Sequence, residues 1–153
     1  MDLEELLSLI DEIFSPTFEK YGFKVVYQNA PHIRHLRVGL TSDTVRVNLL
    51  FLHERFTGLH IGLQSKSFED DSGWVYFEYL VDYLLQRPLQ DKEPAEGQAY
   101  VDFLKENLVS IGKIFEEHCE QIFPLFKDQS TINTWEADFK NYVRTENRRR
   151  YGI

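Results

Sequence analysis

Histidine and cysteine are the residue types in this chain most suited to metal binding or catalysis. His53-Glu54 begins like a zinc-protease motif, but Thr57 stands where the second metal-binding histidine is required. Cys119 is the only cysteine, so the chain can form neither an internal disulfide nor a zinc site built from several thiolates. It falls within a predicted amphipathic helix, and we interpret it as a small buried apolar residue rather than a nucleophile.

Two further histidines, His35 and His60, share one face of the predicted sheet on either side of Leu50. Two strand spacings place their backbones about 9 to 10 Å apart, and no third ligand follows at a spacing typical of zinc sites. The chain also contains no phosphate-binding loop, nucleophile elbow or dinucleotide fingerprint. The sequence therefore predicts no catalytic residue, metal site or cofactor, and leaves open a cleft assembled from distant residues.

Recognition of another protein is the other chemistry that the strands suggest. Polar residues at alternate strand positions share one face, and we predict that the following bind a partner: Lys24, His35, Arg37, Arg46, Asn48, His60 and Gln64. From Phe23 to Gln64 five basic residues stand against two acidic ones, whereas the whole chain has a net charge of −8. Charge of one sign steers association, so the expected partner is a protein with an acidic surface. The alternative is that acidic helix residues of the same chain, or a second copy in a homodimer, balance this charge.

The strands that carry these residues are predicted from apolar alternation. Residues 44–64 form a hairpin with one apolar face, and residues 23–28 and 32–40 add two more strands, which makes a four-stranded antiparallel meander. The expected cross-strand pairs are Phe51 with Leu59, Leu49 with Ile61, Val47 with Leu63, Leu40 with Val45, Val38 with Val47 and Leu36 with Leu49. This register places Arg37 opposite Asn48 and Arg46 opposite Gly39, so the two arginines are diagonal neighbours.

Helical periodicity predicts four helices around this meander. The first begins after the cap Asp2 and is kinked at Ser15-Pro16, where Ser15 is expected to cap a further turn that ends at Gly22. The others are expected over residues 74–86, about residues 95–123, and from a capping pair at Asn133 and Glu136 onward. The prediction is a single α+β domain over residues 1–153, with an N-terminal kinked helix, the four-stranded meander and three C-terminal helices packed on the sheet.

Composition limits the class of protein. A chain of 153 residues with 42% hydrophobic residues supplies one core. The net negative charge weighs against general nucleic-acid binding. The N-terminus lacks the features of a signal peptide, and no apolar run approaches the roughly 20 residues that span a bilayer, so we expect a cytoplasmic protein that does not bind membranes.

The coarse plan of an N-terminal helix, an antiparallel meander and further helices in a small acidic chain resembles bacterial immunity proteins of toxin systems. It is less similar to type III secretion chaperones, which place a helix between their third and fourth strands. The segregated charge and the absence of catalytic signatures favour a non-enzymatic protein-binding module, immunity-protein-like or adaptor-like, and the resemblance is an analogy at the level of the fold. A small-ligand-binding protein or hydrolase with a cleft between sheet and helices is the alternative, with Tyr27, Phe51, Trp74, Tyr76, Tyr79 and Tyr83 as candidate cleft residues.

Overall fold

The structure is a computed structural model that describes the chain apart from residues 1, 33, 34, 53, 54, 71, 91 and 153; the side chains of residues 30–32, 35, 52 and 55–57 are also outside the description. Its elements are α1 (Leu3–Lys20), β1 (Lys24–His32), β2 (His35–Thr41), β3 (Val45–Leu52), β4 (Arg55–Leu63), β5 (Val75–Tyr76), α2 (Phe77–Leu84), α3 (Tyr100–Ile122), a 3₁₀ helix (Phe123–Phe126) and α4 (Gln129–Tyr151). The strands form one antiparallel sheet in the order β1-β2-β3-β4-β5. The predicted α+β architecture is confirmed.

The first helix begins as predicted but does not restart at Ser15. The Asp2 side chain accepts a hydrogen bond from the backbone of Glu5, and the Glu5 carboxylate accepts one from the backbone of Asp2, which closes a capping box. The helix then continues through Pro16, which lies on the exposed side. Ser15 is not a cap, since its hydroxyl donates to the Glu19 carboxylate instead of accepting from a backbone amide.

The later helices differ from the sequence prediction mainly at their starts. Val75 and Tyr76 form the short edge strand β5, which pairs with β4 before α2 begins. In α4 the cap is Asp128, whose carboxylate accepts from the backbone of Thr131, and the predicted cap Asn133 lies inside the helix. Asp128 can cap because its backbone is extended while its side-chain oxygen reaches the first turn.

The predicted strand register is wrong by two residues in both central hairpins. In the structure Leu49 pairs with Val38 on one side and with Leu59 on the other, and Val47 pairs with Leu40 and Ile61. A shift of two residues keeps every side chain on its expected face, because strand side chains alternate with a period of two. The apolar pattern therefore fixed the faces and could not distinguish these two registers.

Short turns explain the shift. The turn between β2 and β3 runs only from Ser42 to Val45, and the Ser42 hydroxyl accepts from the backbones of Thr44 and Val45. β4 already begins at Arg55, and its register with β3 shifts between Leu50 and Phe51. The sequence pattern had assigned residues 41–44 and residues 53–58 to the two loops beside β3. Both predicted loops are longer than the connections in the structure.

The edge strand β1 also departs from simple alternation. It continues through Asn29 and Pro31, where a turn was expected, and a proline is tolerated there because β1 is at the edge of the sheet. A register irregularity between Val25 and Tyr27 moves Tyr27 opposite Gly39. Tyr27 therefore lies on the polar side of the sheet, whereas simple alternation of side chains predicted that it lies on the apolar side.

One face of the sheet, the core face, packs against the helices. Val45, Val47, Leu49 and Ile61 are fully buried there. Facing them are buried side chains of α1, α2 and α3: Phe14, Phe18, Phe77, Leu104, Leu108, Ile111 and Phe115. Phe115 has ring contacts with Phe18, Phe23, Phe77 and Phe123. α4 extends this layer by packing on the 3₁₀ helix and α2. Within the described residues, no helix combines the length and apolar character needed to cross a membrane.

Candidate functional site

The opposite face of the sheet brings together several of the predicted binding residues. We call this the polar face; it consists of Arg37, Gly39, Arg46, Asn48 and His60. Asn48 pairs directly with Gly39 on one side and with His60 on the other. Arg46 lies two residues along β3 from Asn48, and Arg37 two residues along β2 from Gly39, so alternation keeps all five on one side.

A segment that connects β4 to β5 folds back over the polar face. We call residues 64–74 the cover segment; Asp71 within it lies outside the description. Arg46 Nη1 donates to the carbonyl of Lys66 at 2.5 Å, and Arg37 Nη1 donates to the carbonyl of Phe68 at 2.6 Å. The sequence predicted this segment only as a polar acidic loop and left open whether the basic sheet face is covered; in the structure this loop, and not a helix, covers it.

Aromatic rings form the contact between the cover segment and the sheet. The Phe68 ring is buried and stacks between Tyr27 and Trp74, with centroid distances of 5.5 and 5.6 Å. It lies directly above Gly39, where an added Cβ would be 2.6 Å from the Phe68 ring. The Arg46 guanidinium lies 4.9 Å from the Phe68 ring centre, a cation–π distance. A glycine is needed at position 39 because the ring occupies the space of a side chain.

Replacing Gly39 by alanine is expected to destabilise the fold by about 1 to 2 kcal/mol, because the new methyl group and the Phe68 ring cannot occupy the same space. The measurement is the free energy of unfolding in denaturant. In a Phe68→Ala background the same Gly39→Ala change should cost close to nothing, and the double-mutant cycle isolates the contact. An equal cost in both backgrounds would show that Phe68 does not lie above Gly39.

Three neighbouring side chains of the polar face each have a buried polar atom without a hydrogen-bond partner among the described residues. These atoms are Arg46 Nε, Asn48 Oδ1 and His60 Nδ1. Asn48 is 3% exposed and His60 is 8% exposed. Native proteins leave few such atoms, and each one marks a place where a water, ligand or partner group can be accepted. Here three occur on neighbouring positions of the polar face, next to the cover segment at Arg46 and next to Tyr76 at His60.

The environment of His60 keeps its ring neutral near pH 7. Burial lowers the pKa of His60 to about 4, the positive charge of Arg37 acts in the same direction, and a hydrogen bond with the Asn48 backbone opposes both. The His60 ring lies 4.3 Å from the ring of Tyr76, centre to centre. Tyr76 is 37% exposed and covers Gly58, whose φ of +147° is accessible to glycine and strained for other residues. Burial raises the pKa of the Tyr76 hydroxyl.

The seven predicted binding residues thus fall into separate groups. Lys24 and Gln64 are exposed, Arg37 and Arg46 are half-buried under the cover segment, and Asn48 and His60 are buried. The backbone of His35 pairs with Leu52, whereas its side chain lies outside the description. Direct contact of Asn48 or His60 with a partner is incompatible with this conformation, because the cover segment and Tyr76 lie over them.

The expected closeness of Arg37 and Arg46 is also wrong. Arg37 pairs with Leu50 and Arg46 pairs with Thr41, so the two lie four residues apart along the paired strands, about 13 Å. Their backbones are thus not diagonal neighbours, and each guanidinium is met by a carbonyl of the cover segment. Loss of either arginine would remove an intramolecular hydrogen bond.

A separate cleft lies between the β5 edge and α4. It has a volume of about 520 Å³, and its lining includes the aromatic side chains Trp74, Tyr76, Tyr79, Trp135 and Phe139. Lys66 and the ion pair of Lys140 with Glu136 supply its charged groups. Of the predicted cleft residues, Trp74, Tyr76 and Tyr79 line this aromatic cleft; Tyr83 lines another depression, Phe51 is buried in the core and Tyr27 lies on the polar face.

Gln64 borders a third depression, which is larger and more open. It has a volume of about 1050 Å³ and lies between the end of α1, the β2–β3 turn and the start of α4. Its polar groups include Lys20, Glu120 and Lys127. Glu120 accepts from the Tyr21 hydroxyl and lies 4.0 Å from Lys20, so its charge is already engaged.

Metal binding was not predicted from the sequence, and we expect EDTA to leave the melting temperature unchanged. In the described residues no group of three or more histidine, cysteine or acidic side chains is arranged to hold a metal ion. Cys119 is fully buried, and burial raises the pKa of its thiol. A fall in melting temperature on chelation that zinc reverses would contradict the expectation.

The sequence interpretation did not connect Phe68 or Gly39 with the polar face, and it named Trp74 only as a candidate cleft residue. A usable signal was present, because Gly39, Gly58 and Gly62 all stand inside predicted strands or at their ends. A glycine within a strand often marks a bulge or a close approach of another group. In the structure Gly39 contacts Phe68, Gly58 contacts Tyr76 and Gly62 contacts Trp74.

Comparison with known proteins identifies no relative. No protein-family model matches the chain, and neither a curated protein nor a solved structure is significantly similar to it.

Proposed function

We propose that the chain is a non-enzymatic protein-binding module, immunity-protein-like or adaptor-like, that recognises a protein with an acidic surface through the polar face and its exposed border. The observation that supports this most is the group of buried polar atoms on Arg46, Asn48 and His60 that have no partner among the described residues. Buried hydrogen-bonding capacity is costly unless it is satisfied. A site that gains its partner on binding accounts for the cost.

The charge distribution favours an acidic partner. The ion pairs that the structure describes for the helices join their carboxylates to their own or neighbouring cations, as in Asp82 with Arg87, Glu136 with Lys140 and Glu146 with Arg149. No described carboxylate forms an ion pair with Arg46. The alternative, in which helix carboxylates of the same chain neutralise the sheet, is thus not supported at Arg46. A guanidinium forms stronger hydrogen bonds with carboxylates than with carbonyls.

The exposed border of the polar face provides the test. Lys24 pairs with Thr41, which pairs with Arg46, so Lys24 lies at the edge of the same row of residues. A photo-crosslinking amino acid at Lys24 or Gln64 should capture a partner in lysate of the source organism, and capture should fall as salt rises. The same substitution at Lys113, exposed on α3, is the matched control.

The captured protein must then be purified and titrated against the unmodified chain. We expect 1:1 binding that weakens with ionic strength and a partner surface rich in aspartate and glutamate. Equal capture from Lys24 and Lys113, or a purified candidate that binds without salt dependence, would contradict the proposal. Absence of any captured protein from Lys24 and Gln64 would contradict it as well.

A second candidate function, binding of a small ligand or its hydrolysis, is favoured by the aromatic cleft. Its volume falls in the range of ligand pockets, and its lining is mostly apolar, with several aromatic rings and a few charged groups. Trp74 and Trp135 are the only tryptophans of the chain, and both line this cleft. Ligand binding there should therefore change the intrinsic fluorescence.

The fluorescence experiment uses a panel of small aromatic and aliphatic carboxylates and amines. A saturable change that is lost in Trp135→Phe and kept in a variant remote from the cleft, Val109→Ala, would support ligand binding. No saturable change with any compound in the panel would leave the protein-binding proposal as the better supported of the two.

A further inference from the structure

The cover segment is held to the rest of the sheet by few kinds of contact. Two arginine side chains donate to its backbone carbonyls, and the Phe68 ring packs on Gly39 and Tyr27. Trp74, at the end of the segment, also packs against Gly62, so the contacts consist of main-chain carbonyls, the buried anchoring ring of Phe68 and a second ring where the segment joins β5. Such contacts are the kind by which a protein surface binds an extended peptide: backbone groups provide affinity and a pocket for one side chain provides specificity.

Most of the other hydrogen bonds of the cover segment are internal. The Asp70 carboxylate accepts from the Lys66 ammonium and from the backbone and hydroxyl of Ser72, and these bonds lower the pKa of Asp70 to about 2. The Trp74 indole donates to the carbonyl of Asp70. The two ends of the cover segment are also close to each other, because Ile61, shortly before it, pairs with Val75, directly after it. It therefore has the character of a compact Ω-loop, a unit that can move without unfolding the strands on either side.

Among the described residues, no acidic side chain of the cover segment pairs with Arg46. Glu69 and Asp70 are exposed, and Asp70 is bound within the segment. Arg46 is met by a neutral carbonyl and keeps a buried Nε without an acceptor among the described residues. The described residues of the cover segment thus fill the anchor position above Gly39 and offer Arg46 a neutral carbonyl instead of a carboxylate.

From this arrangement we infer that the cover segment is an internal ligand, which occupies a docking site for a partner segment that carries one aromatic residue flanked by acidic residues. The inference rests on the proposed function and specifies how its site is reached. The partner's aromatic side chain replaces Phe68 above Gly39, and its carboxylates bind the guanidinium of Arg46. Asn48 is adjacent to both positions, since it pairs with Gly39 and lies two residues from Arg46 on β3, and His60 lies one strand further on; their orphan atoms bind the polar groups of the partner.

To bind, the partner must displace the cover segment, which is covalently tethered to the docking site. A short tether gives an effective concentration on the order of millimolar. A carboxylate adds charge–charge attraction and a bidentate geometry that a single carbonyl does not offer, so a carboxylate at Arg46 offsets the advantage of the tether. The cover segment then sets a threshold: weakly acidic or non-aromatic sequences do not displace it.

The test supplies the segment in trans. In a variant whose residues 66–72 are replaced by a glycine-serine linker of equal length, a synthetic peptide of residues 65–74 should bind at least tenfold more tightly than it binds the unmodified protein. The same peptide with Phe68→Ala should lose at least tenfold in affinity. Peptides with an additional aspartate next to the phenylalanine should bind more tightly still, and the gain should disappear in an Arg46→Ala version of the linker variant.

A folding defect of the linker variant would be visible by circular dichroism, and the full-length Phe68→Ala protein then takes its place in the same titrations. Equal affinity for the linker variant and the unmodified protein, or no dependence on the phenylalanine, would overturn the inference. The outcome is separable from that of the proposed function. Peptide binding without any captured partner contradicts only the proposed function, whereas a captured partner that the peptides do not compete with contradicts only the inference.

Discussion

Leu49→Ala is expected to lower the free energy of unfolding by about 2 to 5 kcal/mol, because it removes a large side chain from the middle of the core and leaves a cavity. Leu49 is 0% exposed and lies on the central strand, between Val38 and Leu59. Ile61→Ala, at a position of equal burial beside Val47, should have an effect of similar size. Denaturant midpoints at constant slope measure both.

Val25→Ala is the matched control, since Val25 is also an apolar strand residue but is 53% exposed. Its cost should stay within about 0.5 kcal/mol. A double-mutant cycle between Leu49 and Leu59 should show coupling, because the two residues are paired across the strands. Unchanged midpoints in Leu49→Ala and Ile61→Ala would contradict the placement of the core.

Acidification is expected to destabilise the protein through His60. The pKa of His60 is about 4 in the folded chain against an ordinary value of 6.5. Between these values the unfolded chain binds more protons than the folded chain, so stability falls as pH falls. The contribution of His60 is fully present above pH 6.5, and about 2 kcal/mol of it is lost between pH 7 and pH 5.

His60→Gln isolates this contribution, because the variant cannot take up a proton at this position. The difference in unfolding free energy between pH 7 and pH 5 should be smaller in the variant by about 2 kcal/mol. Burial raises the pKa of Glu78, which changes stability in the opposite direction, but it does so equally in both proteins. An identical pH dependence in both proteins would show that His60 is solvated and not buried beneath Tyr76.

The sequence predicted which residues face the core because strand side chains alternate, and that alternation is a strong physical signal. It did not determine register. Pairing Leu49 with Leu59 or with Ile61 buries the same residues, so the choice depends on turn geometry. The Ser42 hydroxyl accepts hydrogen bonds from two backbone amides in the turn, and these bonds favour the shorter connection between β2 and β3. Such local competition between turns is not visible in hydrophobic periodicity.

The cover segment shows a different limit of sequence reasoning. Its polar and acidic composition predicts an exposed loop, and most of its residues are exposed. One phenylalanine in that composition is a weak signal, yet Phe68 fixes the path of the segment by packing above Gly39. The contact joins residues that are far apart in sequence and depends on an absent side chain at position 39. The charges of Arg37 and Arg46 were predicted to attract a partner, but sequence alone could not reveal that backbone carbonyls already meet them.

The sequence therefore predicted part of the arrangement of the candidate site, and the structure revealed the rest. Arg46, Asn48 and His60 were placed on one face from alternation, and the structure places them there. Their burial and their unpaired atoms were not foreseen, because both follow from the return of the cover segment and from Tyr76. These two features change the proposed site from an open basic surface into a covered one.

The most direct measurement of the central claim is an NMR titration of the intact, labelled protein with a short synthetic peptide in which one phenylalanine is flanked by aspartates. We expect saturable shifts of the Arg46 Nε–H resonance and of the His60 ring resonances. The resonances of Phe68 should also shift, because its ring no longer stacks on Tyr27. The side-chain resonance of Arg87, which already pairs with Asp82, should not move. Saturation that leaves Arg46 and His60 unchanged, or no binding at millimolar peptide, would contradict the account.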